Sequence, residues 1–200
     1  MRLSSHNVVT MAVPRRRFRI GPDNGTLLLR TRRAGLASRV GHDLTLELTA
    51  WSAEIELPDP SEPASGGVEA TVDLSTLEVR EGSAGAVPLT DRDRREIENN
   101  ARRLLAVDRF PTATFAADRI TGSETEAMIG GTLALNGTWA PIVLQVRQVS
   151  PNRWHAVTTV AQTALGIKPY SAFLGALKLR DDVVVECQVD LTQPEGTAAV

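Results

Sequence analysis

The chain has 200 residues, of which 42% are hydrophobic and 23% charged, with a net charge of −2. That balance argues against an overall nucleic-acid footprint and against an acidic solvating tail. The length suits one domain with a sizeable core, and the single cysteine, Cys187, rules out an internal disulfide framework.

Residues 1–17 read as a disordered leader. Met1 to Val13 has no proper apolar stretch, and Arg15, Arg16 and Arg17 follow it, the wrong order for export. No apolar run is long enough to span a bilayer. The expectation is a soluble, cytoplasmic chain without stable membrane insertion. Early strands are expected near Phe18 to Ile20 and over Thr26 to Arg32.

The stretch from Gly35 to Leu57 opens as a turn, passes His42, and then alternates. Leu44, Leu46 and Leu48 share one face, with Thr45, Glu47 and Thr49 on the other. Beyond them the phase slips, because Trp51, Ala53, Ile55 and Leu57 are the apolar set. A one-residue slip turns every side chain over, so a bulge or tight turn is predicted near Thr49 and Ala50. Such a bend is how a long strand curls around a barrel.

Pro58 to Gly67 reads as a loop, and Val68, Ala70, Val72 and Leu74 then alternate as a half-buried strand. Gly82 to Pro88 is a second loop. Thr90 begins a capping box with Asp93. Ile97, Ala101, Leu104 and Leu105 follow it as one apolar helical stripe. Phe110-Pro111 restarts extended chain.

Ile129, Gly131, Leu133 and Leu135 share a face ahead of Asn136-Gly137, a strong hairpin signal. Thr138 to Val146 returns, with Pro141 implying a local edge or bulge. Trp154 to Thr163 is strand-like with an ambiguous inward face. Leu177 to Leu179 and Val183 to Leu191 are predicted to form a last hairpin about Arg180 to Asp182. Residues 192–200 read as a tail. One helix among many alternating strands, without βαβ rhythm, argues for an antiparallel barrel or sandwich. The bend near Thr49 favours the barrel.

Three segments together carry a resemblance. DRFPTATFAADRI at Asp108 to Ile120, IGGTLALNGTWAPIVLQV at Ile129 to Val146 and LGIKPYSAFLGALKLRDDVVVECQVDL at Leu165 to Leu191 follow the order and spacing of the YceI-like family. GHDL at Gly41 to Leu44 is similar to the family's first-hairpin histidine segment, while its early histidine-serine pair has no counterpart near Asp23 and Asn24. The resemblance covers Phe18 to Leu191. It implies an all-β fold, a lipocalin-like antiparallel barrel of about eight strands with one inserted helix. It also implies an isoprenoid or similar lipid as ligand, no cofactor and no enzymatic activity. A homodimer stays open, and a nucleic-acid partner is not expected.

A barrel of eight strands is either filled by side chains or hollow enough for one slender ligand. The inward set is Leu44, Leu46, Leu48, Trp51, Leu74, Phe115, Leu133, Ile142 and Leu144, for each of which packed core is the plainer reading and ligand wall the alternative. His42 lies in phase with the leucines, so it faces inward near one barrel end. It suits a ligand headgroup, or an enzymatic or redox-cofactor role; pinning by turn hydrogen bonds is the plainer reading. Its neighbour Asp43 diverges from it and cannot share a metal with it. No two histidines have ligand spacing, and no metal is expected. Tyr170 and Phe173 suit a connection at the mouth, gating the cavity or covering the barrel's end. Cys187 shares a face with four apolar residues and reads as a buried, inert thiol. A packed barrel that acts through its surface is the remaining alternative.

Overall fold

A computed structural model describes residues 17–35, 41–57, 66–85 and 87–191. The expected leader (save Arg17), the tail, and most of the loop over 58–67 lie outside these residues, as does part of the turn ahead of His42. The strands are β1 (Arg17–Ile20), β2 (Gly25–Thr31), β3 (Arg33–Ala34), β4 (Asp43–Leu48), β5 (Trp51–Glu56), β6 (Gly67–Asp73) and β7 (Leu77–Ser83). After the helix α1 (Asp91–Leu104) come β8 (Thr112–Gly122), β9 (Glu126–Leu135), β10 (Thr138–Ser150) and β11 (Arg153–Ala161). The chain ends with β12 (Ser171–Ala172), β13 (Leu177–Leu179) and β14 (Asp182–Asp190).

Eleven segments pair antiparallel in the order β1-β5-β6-β8-β9-β10-β11-β14-β2-β4-β7. Eleven exceeds the eight or so expected, and the excess has a physical cause. The pairs β1 and β2, β4 and β5, and β6 and β7 are each halves of one long strand broken at a bend. Joining these three pairs leaves eight strands. The ladder also returns on itself, because β4 pairs with β2 on the side that leads to β14, while its continuation β5 pairs with β6, which leads to β8.

The three bends lie side by side, and the second and third share hydrogen bonds, so the curl is built in. In the first, the Gly21 N–H donates to Asn24 Oδ1 at 2.8 Å. In the second, at the predicted position, the Ala50 N–H donates to Thr76 Oγ1 at 3.1 Å. In the third, the Asp73 N–H donates to the Ala50 carbonyl at 2.9 Å. Here the structure corrects one expectation: the strand from Val68 stops at Asp73, and Leu74 opens a 3-10 turn. The Asp73 carboxylate takes the Ser75 N–H and hydroxyl, which diverts the chain from the ladder.

The helix covers the outer edge of β7. Thr90 and Asp93 form the predicted capping box. Glu98 Oε1 accepts from the Val79 N–H at 3.0 Å, and Arg102 donates to the Ser75 and Leu77 carbonyls at 3.0 and 2.9 Å. An open strand edge is thus satisfied by side chains rather than by another strand. The apolar stripe of Ile97, Ala101, Leu104 and Leu105 turns inward onto the core.

Asn136 and Gly137 form the predicted two-residue turn, with φ of 54° and 70°. Pro141 pairs with Thr132 of β9, whereas pairing to β11 begins only at Gln145, so the proline sits at a local edge. The predicted last hairpin is not formed. β13 pairs with β12 and β3 in a separate three-stranded sheet, and β14 pairs with β11 and β2. The crossover is held by the Arg180 N–H, which donates to the Arg32 carbonyl at 2.8 Å, and by Gln162, whose N–H donates to the Asp181 carbonyl at 3.0 Å. No helix among the described residues is long and apolar enough to cross a membrane.

Candidate functional site

The inward faces of the barrel enclose a cavity of about 1700 Å³. Alternation along each strand supplies its wall. β4 contributes Leu44, Leu46 and Leu48, and after the bend β5 contributes Trp51. Leu74 reaches the cavity from the 3-10 turn, and Phe115 of β8 and Leu133 of β9 face it from across the barrel. Ile142 and Leu144 of β10 line it further round. Each of these positions had been expected to face inward, and each borders the cavity.

The two residues expected at the mouth come out differently. Tyr170 lines the cavity. Phe173 opens the 3-10 turn Phe173–Gly175, and the position of its side chain lies outside the described structure.

His42 stands at one end, on the chain leading into β4, and borders the cavity. Its Nε2 is 2.7 Å from the Val87 carbonyl, so Nε2 carries a proton and donates there. A Cβ on Gly85 would collide with the imidazole, so glycine is needed at that point of the turn. Asp43 diverges as expected, accepting the Arg33 N–H at 2.8 Å. Among the described residues no three of His, Cys, Asp and Glu come together as a metal cluster would require.

The same end holds groups that the sequence did not single out. Thr31 is 7% exposed and lines the cavity, and its hydroxyl has no hydrogen-bond partner among the described residues. Asp93 borders the cavity as well; hydrogen bonds from the Thr90 hydroxyl and N–H hold its carboxyl below the usual range. The wall also takes in Leu27 and Leu29 of β2, Trp154, Ala156, Thr158 and Val160 of β11, and the stripe of α1. The β2 alternation Leu27, Leu29, Thr31 was the available signal. In β11 the inward face carries Thr158, which blurred the pattern.

Cys187 of β14 lines the cavity between Val185 and Val189. Burial pushes its thiol up to about 12. The thiolate is then a trace species at pH 8. We expect a water-soluble thiol reagent at pH 8 to label the folded protein at least a hundredfold more slowly than the denatured chain. Equal rates would contradict the buried setting.

A closed-up antiparallel barrel with one covering helix and a largely apolar interior defines a lipocalin-like barrel protein. Within that class the chain belongs to the YceI-like family, whose domain model matches residues 18–191. Among curated proteins none matches it. Of solved structures, BcnA of Burkholderia cenocepacia is similar at 14% identity and TM-score 0.59, covering 84% of this chain and 96% of that one. A Campylobacter jejuni YceI protein is similar at 14% identity and TM-score 0.56, covering 75% of this chain and 85% of that one. Identities this low speak for the fold alone.

Proposed function

We propose that this chain is a binding protein rather than an enzyme, and that it carries an isoprenoid or similar long-chain lipid inside the barrel. The cavity carries the reading: at about 1700 Å³ it exceeds the roughly 300–1,000 Å³ usual for a compact small molecule, and its wall is chiefly aliphatic. Burying a methylene is worth about 0.8 kcal/mol, so about ten of them supply roughly 8 kcal/mol before the cost of immobilisation. A hydrocarbon can therefore be held without directional bonds.

The ligand wall consists of Leu44, Leu46, Leu48, Trp51, Leu74, Phe115, Leu133, Ile142 and Leu144, with Tyr170 beside them. A polar head belongs at the end where His42 stands and where the Thr31 hydroxyl has no partner among the described residues. Membership of a family known for binding polyisoprenoids supports the same reading.

Native mass spectrometry and solvent extraction of the purified protein test it, together with titration of a fluorescent polyprenyl probe. A bound lipid, or saturable probe binding at one site per chain, is expected. An empty protein that also ignores the probe overturns the proposal.

A further inference from the structure

We propose that the rim formed by β3, β12 and β13 is a docking surface for an anionic lipid bilayer. The proposal rests on the lipid-carrier reading, since it names where that cargo would be exchanged. It begins with Leu174, at the tip between β12 and β13. Leu174 is fully exposed (110%) and holds a left-handed backbone, with φ 53° and ψ 31°, followed by Gly175 at φ 89°. Leucine adopts that region reluctantly, and glycine would take it more easily. The strained tip thus lifts an aliphatic side chain clear of the protein, where in water it contacts nothing.

The tip lies beside the end of the cavity that holds His42. Gly35 packs against the Ala176 carbonyl, and Gly41, next to His42, packs against the Leu177 side chain. Val87, which takes the His42 hydrogen bond, is 67% exposed on the same rim. Apolar surface therefore flanks the end of the cavity that holds Thr31 and His42.

Charge on the rim points to the partner. Alternation along β13 sends Leu177 and Leu179 into the cavity wall and leaves Lys178 and Arg180 exposed. Arg32, whose carbonyl takes the Arg180 N–H, is exposed beside them. Lys168 is exposed on the segment that leads to Tyr170, and it and Lys178 are the only lysines of the chain. Elsewhere, Arg17, Arg19, Arg30, Arg80 and Arg153 are matched by carboxylates across the barrel strands.

The rim cations have no such partners among the described residues. Of the nearby acids, Asp43 pairs with Arg33 and Asp181 accepts the N–H and hydroxyl of Thr163, while Asp182 and, beyond Val87, Asp91 and Glu96 are exposed. Four cations without an ion pair among the described residues, Arg32, Lys168, Lys178 and Arg180, surround the projecting leucine and complement an anionic membrane surface. Docking there sets this end of the cavity, where Val87 and Pro88 line it and are exposed, against the headgroups, so that a lipid would pass between bilayer and barrel with little of its chain in water.

Flotation with vesicles of phosphatidylcholine, with and without phosphatidylglycerol, tests the proposal on the full chain. Binding is expected only to the anionic vesicles, and it should weaken as salt is raised. Removing each basic residue should lower the partition roughly fivefold, so the double variant K168E/K178E should lose at least tenfold, and L174D several-fold. Both variants should still bind the polyprenyl probe added in solution. A wild type that ignores anionic vesicles overturns the dock, and so do variants that float as it does or that lose solution probe binding along with flotation. A wild type that docks but never binds the probe overturns the lipid-carrier reading instead and leaves the dock standing.

Discussion

Replacing Ala156 by Phe should abolish most lipid binding while leaving the fold as stable as before. Ala156 sits in the middle of β11, paired with Val146 of β10 and Cys187 of β14, and all three border the cavity. The new ring would enter empty space rather than occupied core. In a packed interior such a gain in volume costs about 1–3 kcal/mol. Against a void that cost is absent, and phenylalanine suits a strand. The ring would displace about four methylenes of a bound chain, or roughly 3 kcal/mol. Probe affinity should then fall about a hundredfold, with a change in unfolding free energy below about 1 kcal/mol. Competition titration and urea denaturation measure the two quantities. Unchanged affinity would mean that the ligand does not use this part of the barrel. Destabilisation in the overpacking range would mean that the barrel is packed and acts by its surface.

Much of this architecture could be read from local pattern. The bend at Thr49 and Ala50, the cap at Thr90, the Asn136-Gly137 turn and the inward leucines of β4 all follow from spacing over a few residues, where sterics and alternation decide. What escaped depends on distant partners. The break at Leu74 occurs because Asp73 bonds forward to Ser75, and because Thr76 is wanted by the bend at Ala50. β13 leaves β14 for β3 because Arg32 and Gln162 hold the crossover, and neither lies near it in sequence. The unpartnered hydroxyl of Thr31 could not be found from spacing at all. A threonine on an apolar face looks satisfied until its surroundings are known. The helix stripe was legible as apolar, but only the barrel shows that it faces a cavity as well as a core.

Two leucines of equal size should respond differently to truncation, and the difference separates the packed part of the interior from the hollow part. Leu165 also borders the cavity, but it is fully buried, in a cluster with Val160 and Ile167 against Leu104 and Leu105 at the end of α1. Leu165→Ala would open a void among atoms that cannot close over it, and should cost about 2–5 kcal/mol. Leu144 is half-buried and borders the cavity. Its cavity side has no protein atoms to lose, so Leu144→Ala should cost about 1 kcal/mol. Ligand changes the comparison in a way that a packed barrel would not. A molecule that binds only the folded chain adds about 2.7 kcal/mol at a hundred times its dissociation constant. Saturating polyprenol should therefore restore much of what Leu165→Ala loses and give little to Ala156→Phe, whose cavity is blocked. Urea denaturation with and without polyprenol measures both. Equal costs for the two leucines would mean that both sit in packed core, and no stabilisation of Leu165→Ala by ligand would mean that polyprenol does not bind the folded chain.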